Sequence, residues 1–243
     1  MNDETLEKKT FGELQGYAQK IRQDAKAIRK RWVGQAPSSS RKAEFQNAIA
    51  NFEVVIAAFE ERLEVAEKGS LGERDLCTEI GDCYGALGGT YRDWEEFTQA
   101  AKAYGKGRVY EKRVEDLGGQ PNSYCLVQQL VNLILADPKG FSEHTLIDNV
   151  DVRNELRAAR DTLNGQMRVA RRGDPWAQAD LALICQLLDD DAVVQWDELD
   201  DLEPKHFVYD AAGSVVRFVH EKLSPYLKDT ENEFWHEVEE RLS

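Results

Sequence analysis

The sequence predicts an all-α fold that opens with an antiparallel helical hairpin. Three observations carry this. Apolar residues recur in steps of three and four through most of the chain, no segment alternates apolar and polar with β-branched enrichment, and proline, six in 243 residues, sits mostly between the periodic segments. The sequence predicts nine or ten helices and no sheet.

In the first segment Phe11, Leu14, Ala18, Ile21, Ala25, Ile28 and Trp32 step by 3 and 4 in turn, a heptad seam on one helix face. GQAPSSS at 34–40 breaks it, with serines placed to cap the next helix. There Phe45, Ile49, Phe52, Ile56, Phe59, Leu63 and Ala66 repeat the seam. Two such helices on a short loop read as a hairpin over 1–70. The seams are expected to pack on each other or on the body; an exposed seam that recruits a partner helix is the alternative.

GSLGERD at 69–75 ends the hairpin, and a glycine-rich segment and a second helix run on to about Gly118. Gly118-Gly119-Gln120-Pro121 breaks the chain before SYCLVQQLVNLIL, which is apolar on several sides and therefore central. A charged helix over about Val152–Arg171 follows. Asp174-Pro175 is a strong helix start, with aspartate as N-cap and proline at the first helical position. A short helix near Ala192–Leu199, then helices near Asp210–Leu223 and Thr230–Leu242, complete the chain. The patterns divide it into 1–70, 71–225 and an acidic helix over 226–243.

The formal charge of −14 is uneven. Residues 1–50 hold ten Lys/Arg against six Asp/Glu, whereas residues 187–243 hold five against sixteen. So acidic a chain argues against general nucleic-acid binding, because phosphates are repelled. The exception to weigh is the basic set Lys20, Arg22, Lys26, Arg29, Lys30, Arg31, Arg41 and Lys42, which suits an acidic partner, nucleic acid, or the chain's own acidic end. The acids at Asp189–Asp191, Asp197, Glu198, Asp200, Asp201 and Glu203 lack the glycine turn of a calcium loop and read as a solvated loop. Cys77, Cys83, Cys125 and Cys185 form no CxxC and read as small buried thiols in a reducing cytosol. The start MNDETLEKKTF has no signal-peptide pattern and no apolar run approaches 18 residues, so a cytoplasmic location without membrane association is expected.

Four glycines, Gly81, Gly85, Gly88 and Gly89, interrupt a helical segment at about 1 kcal/mol each relative to alanine. No strand precedes them and no GK[ST] follows, which excludes a phosphate loop. Gly81, Gly85 and Gly89 fall along one stripe, onto which a second helix can lie closely. The N-terminal hairpin is the expected occupant, and a partner's helix or peptide the alternative.

Tyr84, Leu87, Gly88, Tyr91, Ala100, Tyr104 and Gly107 have the spacing of one tetratricopeptide repeat, a 34-residue pair of antiparallel helices, and so resemble that family. The repeat's usual late proline is replaced by Lys112. GDCYGALGGTYRDW, NSYCLVQQLVNLILADP and GDPWAQADLALICQLLDDD together resemble the irregular tetratricopeptide domain called the TRAF-binding domain, over about 72–225. That domain occurs in apoptosis signal-regulating kinases and in bacterial multidomain proteins. The resemblance implies an irregular tetratricopeptide-like superhelix after the hairpin, and a regulatory scaffold without catalytic residues, in bacteria often beside defence effectors. Its inner face maps onto Asp82, Gly85, Gly89, Arg92 and, at the end of the same helix, Trp94, as residues that meet a protein partner.

The residues themselves offer no catalytic constellation and no cofactor motif. His220-Glu221 and His236-Glu237 adjoin without forming HExxH, no two of the four histidines lie four apart, and no Gly-x-Ser-x-Gly elbow occurs. No metal ligands stand at useful spacing. The expected function is a non-enzymatic adaptor or regulatory subunit, with oligomeric state left open. The competing readings are a substrate or inhibitor of a protease, cut at 34–40 or 189–204, and a nucleic-acid-associated protein using the basic hairpin.

Overall fold

Helical periodicity becomes helix throughout the computed structural model, which describes residue 6, residues 9–32, residue 35 and residues 38–243. Among the described residues there are eleven α-helices and no strand; the one extended pairing is an isolated bridge between Ile147 and Val150. The fold is all-α. By compactness the chain divides into Met1–Cys125 and Leu126–Ser243, with the boundary inside helix α5 (Tyr124–Ala136).

The first unit begins with α1 (Phe11–Trp32) and α2 (Ser39–Val65). Ser38 caps α2, its hydroxyl accepting from the Arg41 N–H at 3.1 Å. Leu14, Ala18 and Ile21 of the α1 seam are buried. Helix α2 buries its whole seam from Phe45 to Leu63 and also Ala48, Val55 and Ala58. Those extra residues widen the apolar stripe beyond a coiled-coil seam, and α2 packs both on α1 and on α3 (Leu71–Asp93). Leu76, Cys77, Ile80, Cys83 and Leu87 of α3 join the same apolar cluster.

Polar contacts tie α1 to α3 as well. Gln15 donates to Glu79 at 3.0 Å, Arg22 reaches Glu79 at 3.3 Å and Asp82 at 3.5 Å, and Arg29 lies 3.4 Å from Asp93. The basic face of the first helix therefore meets acids on α3. Each such pair is worth at most about 1 kcal/mol.

Helix α4 (Phe97–Asp116) returns along α3. Small residues set this approach. A Cβ on Gly88 would stand 2.7 Å from two Tyr104 ring carbons, and one on Gly107 would stand 3.3 Å from the Tyr84 Cβ and 2.6 Å from the Cys125 sulfur. Tyr84 and Tyr110 stack at 5.9 Å, and both hydroxyls donate to one Glu60 carboxylate oxygen on α2, at 3.0 and 2.8 Å. Burial first, and Glu60 after it, push both phenols well above the ordinary tyrosine range.

Ser70 caps α3 through the Glu73 N–H at 3.0 Å, while the buried Glu73 carboxylate accepts from the Gly69 N–H and from Arg113 of α4. The Gly69 N–H and then Arg113 hold this carboxyl below its usual value. A depressed carboxyl stabilises the fold above its unfolded value of about 4.3 and loses that contribution as pH falls through the lower folded value. Glu73→Gln is therefore expected to flatten the loss of stability below about pH 4.3. Urea midpoints at pH 6 and pH 3 for both proteins measure this, and equal slopes would refute it.

In the second unit, aspartates start the helices. Asp137 caps the short α6 (Pro138–Ser142) and Asp151 caps α7 (Val152–Arg168), accepting from the Asn154 N–H at 3.0 Å. Asp174 caps α8 (Pro175–Leu188), accepting from Trp176 at 2.9 Å, with Pro175 at the first position as the sequence predicts. Helix α8 is apolar on nearly all sides and buries two glutamines that face α9 (Ala192–Asp201). Gln178 donates to the Gln195 carbonyl at 2.9 Å, and Gln186 accepts from the Trp196 indole at 2.9 Å.

The short helix expected near Ala192–Leu199 is thus present as α9, and it packs, so half of the acids expected on a solvated loop, and most of the 189–204 stretch considered for cleavage, stand on a helix. Ala192, Trp196 and Leu199, at i, i+4 and i+7, are its buried stripe. Two of its acids are partnered too: Arg241 of α11 (Asp229–Arg241) reaches Asp197 and Asp200 at 2.8 Å, and Tyr209 of α10 (His206–Leu223) donates to Asp200 at 2.8 Å. A 3-10 turn, Ser224–Tyr226, joins α10 and α11. No helix among the described residues is long and apolar enough to cross a membrane.

Candidate functional site

The glycine stripe of α3 is closed within the chain, though not by the N-terminal hairpin. A Cβ on Gly81 would meet Tyr110 and Glu111 of α4 at 3.6–3.8 Å. On Gly85 it would meet the Tyr124 ring at 3.3 Å and Cys125 at 3.5 Å, and on Gly89 the Tyr104 hydroxyl at 3.4 Å. Helix α4 and the first two residues of α5 occupy the ridge, while the hairpin packs on the apolar face that carries Leu76, Ile80 and Cys83. Tyr104 and Tyr124 meet edge to face at 5.8 Å over the stripe.

The five residues expected to meet a partner therefore separate. Gly85 is buried and Gly89 half-buried under tyrosines. Asp82 is exposed and paired with Arg22. Arg92 is half-buried, 3.4 Å from Asp93. Burial opposes its charge, but Tyr104, Asp93 and Tyr124 outweigh that and hold its pKa above the ordinary arginine range. Trp94, the cap residue after α3, is half-buried, packed against the apolar cluster of the first unit, and lines an open cleft.

Trp94 stacks on Phe45 with ring centroids 6.2 Å apart and planes 5° from parallel. Beside it opens a cleft of about 490 Å³ lined by Ser38, Ser39, Arg41, Lys42, Trp94 and Glu95. Arg41 is largely buried there, its guanidinium held by the Gln35 carbonyl at 3.0 Å and the Asp93 carbonyl at 3.2 Å, with a buried Nε that has no hydrogen-bond partner. Lys42 is exposed on the rim. The first turn of α2 adds the positive end of its helix dipole and carries no acid of its own. Two cations at a helix N-terminus run against the helix dipole, and Glu95, 3.9 Å from Arg41, is the acid that faces them. An acidic group entering this cleft is attracted by all three positive features.

Comparison of the chain with protein families, curated proteins and solved structures found no match. The cleft's meaning rests on its own chemistry.

The second unit has a wider cleft of about 830 Å³. Phe141, His144, Arg153 and Arg157 form its basic side, Asp189–Asp191 its acidic side, and Lys228, Glu231 and Trp235 lie along α11 and the residue before it. The Arg153 guanidinium lies 4.4 Å over the Phe141 ring, and burial, then Arg157, lower its pKa. This lining mixes both signs and favours neither.

Two further findings bear on chemistry. All four cysteines are buried and unpaired, and burial raises their thiols, Cys83 to about 12 and Cys185 to about 11, so these two stay protonated at neutral pH. His220 and His236, with no useful spacing in sequence, meet across α10 and α11 with Glu239 between them. Sequence reasoning tested each histidine against its adjacent glutamate. The usable signal was His236-x-x-Glu239, three residues apart on one helix face.

Proposed function

We propose that the chain is a protein-interaction module that holds an acidic, extended segment of a partner protein in the cleft formed by Trp94, Arg41 and Lys42. The observation that carries this is the combination of an aromatic wall with two cations at a helix N-terminus. Trp94 offers rigid apolar area, and Arg41 and the positive end of α2 suit a carboxylate. The reading keeps the expected adaptor role and moves its centre from the glycine ridge to the ridge's end.

The tetratricopeptide-like architecture belongs to the same proposal. Its support is the α3–α4 pair, where Tyr104 sits over Gly88 and Tyr84 over Gly107, large on small as that repeat requires. A regulatory subunit of the TRAF-binding-domain type, in a cytoplasmic signalling or defence assembly, is the biological setting that fits. Nucleic acid fits less well, because Arg22, Arg29 and Arg31 of the basic hairpin are engaged with Glu79, Asp82, Asp93 and Glu44. Of the two segments considered for proteolysis, residues 33–34 and 36–37, around and within the first, lie outside the described residues, and cleavage in 189–204 requires α9 to unfold.

Selection of a random peptide library on the purified chain tests the proposal. Acidic sequences with an aromatic residue are expected to be enriched, and Lys42→Glu, which leaves the buried Arg41 in place, is expected to weaken them about tenfold, or about 1.4 kcal/mol. Enrichment of basic or purely apolar peptides, or an affinity indifferent to Lys42→Glu, would overturn it.

A further inference from the structure

We propose that His220, His236 and Glu239 form a Zn²⁺ site that joins α10 to α11. One ligand atom from each residue lies within 4.8 Å of the other two. The argument begins with His220, which is 3% exposed. Its Nε2 lies 3.0 Å from Asn232 Oδ1, and its Nδ1 lies 2.7 Å from Glu239 Oε1. The Asn232 amide is oriented by its nitrogen, which faces the Ser224 and Leu227 carbonyls at 3.3 and 3.5 Å. The oxygen facing His220 is thus an acceptor, and Nε2 carries a proton.

Nδ1 then faces a carboxylate. In a neutral ring that places lone pair against lone pair at 2.7 Å, so a positive centre, a proton or a metal ion, belongs between them. His236 favours the metal. Its ring packs edge-on to His220 at 4.6 Å, and its Nδ1 lies 3.9 Å from the second oxygen of the same carboxylate. A proton shared by His220 and Glu239 has no use for a second imidazole, whereas a metal ion takes both rings and the carboxylate as ligands.

Two imidazoles and one carboxylate are a Zn²⁺ donor set, with the fourth position left to water or another ligand. The exposed side of His236 gives that position an opening to solvent. The Nε2–H bond from His220 to Asn232 is the outer contact that fixes a ligating histidine's tautomer and ring orientation. Zinc bond lengths of about 2.0–2.2 Å in a tetrahedron separate ligand atoms by about 3.3 Å. His236 is exposed and Glu239 half-buried, and rotation of their side chains, His236 above all, brings them to that spacing. Binding displaces any proton held between Nδ1 and Oε1 into solvent and leaves both imidazoles neutral at their ligating atoms.

The test uses the full chain without a histidine tag. Calorimetric titration with Zn²⁺ is expected to give one ion per chain at micromolar affinity or tighter. His236→Ala and Glu239→Gln are each expected to weaken binding at least tenfold, while Glu237→Gln, on the exposed neighbour, leaves it unchanged. Co²⁺ is expected to give visible absorption bands of a four-coordinate site in the wild type and to lose them in His236→Ala. Because His236 is exposed, that variant keeps its fold, which circular dichroism verifies. Failure of Zn²⁺ to bind at micromolar concentration, or equal affinity in the wild type and His236→Ala, would overturn the site.

Discussion

Replacing Trp196 with alanine is expected to cost the second unit about 3–5 kcal/mol, the range for emptying a fully buried tryptophan site. Trp196 is 1% exposed and is the largest of the fully buried side chains. It anchors α9 on α8, and its indole is the donor to the buried Gln186 oxygen. Alanine there opens a cavity and also strands that oxygen, which adds a desolvation cost. Trp196→Phe, which keeps most of the volume, is expected to lose about 1–2 kcal/mol, chiefly through the unmade hydrogen bond. Denaturant unfolding followed by circular dichroism at 222 nm separates the two. A loss under about 1 kcal/mol for the alanine variant would mean that α9 is not held to α8 by this residue.

Gly88→Leu is expected to be nearly as damaging to the first unit, at about 3 kcal/mol, the upper end of overpacking penalties. The first added carbon would already stand 2.7 Å from the ring of Tyr104, which is fully buried and has nowhere to move. Gly81 is the internal control. A Cβ there finds its nearest neighbour at 3.6 Å, an ordinary contact, so Gly81→Ala is expected to gain up to about 1 kcal/mol of helix propensity. The two glycines lie on the same helix seven residues apart, and opposite signs are the expected result. Thermal midpoints of both variants decide it; stabilisation by both would show that α4 does not press on α3 at Gly88.

The helices were legible because their signals are local. Heptad steps gave α1 and α2, and the Asp174-Pro175 pair gave the start of α8, since a cap and its first turn are contiguous in sequence. Helix α9 was half legible. Its stripe of Ala192, Trp196 and Leu199 marks a helix, but two of its acids pair with Arg241 of α11, some forty residues on, and nothing nearby in sequence distinguishes such a pair from a solvated run. The tightest approach on α3 falls at Gly88, beside the ridge of Gly81, Gly85 and Gly89, where an added Cβ would meet its neighbours at 3.3–3.6 Å, and the ridge faces α4 and Tyr124, not the expected hairpin. Tyr104 and Tyr124 carry no pattern that says which way their rings turn, and only packing puts them over Gly85, Gly88 and Gly89. At the cleft, Trp94 and the cations Arg41 and Lys42 were each legible, but not their meeting, because Arg41 and Lys42 come from another helix and look, in sequence, like part of a basic stretch. Of the His220–His236–Glu239 cluster only the His236–Glu239 pair was legible, on one face of α11; His220 is brought to it by the turn between two helices.

The forked acceptance of Tyr84 and Tyr110 by Glu60 has a consequence for alignment. A heptad seam is nearly self-similar, so sliding α2 by seven residues, about 10 Å, puts apolar residues back against apolar residues. Grease alone leaves such a slide cheap. One carboxylate that must find two phenols from two different helices allows a single setting, and a displaced α2 would strand three polar groups at once. Glu60 thus works as a notch that indexes the rod, and Glu60→Leu is the change that would let it slip.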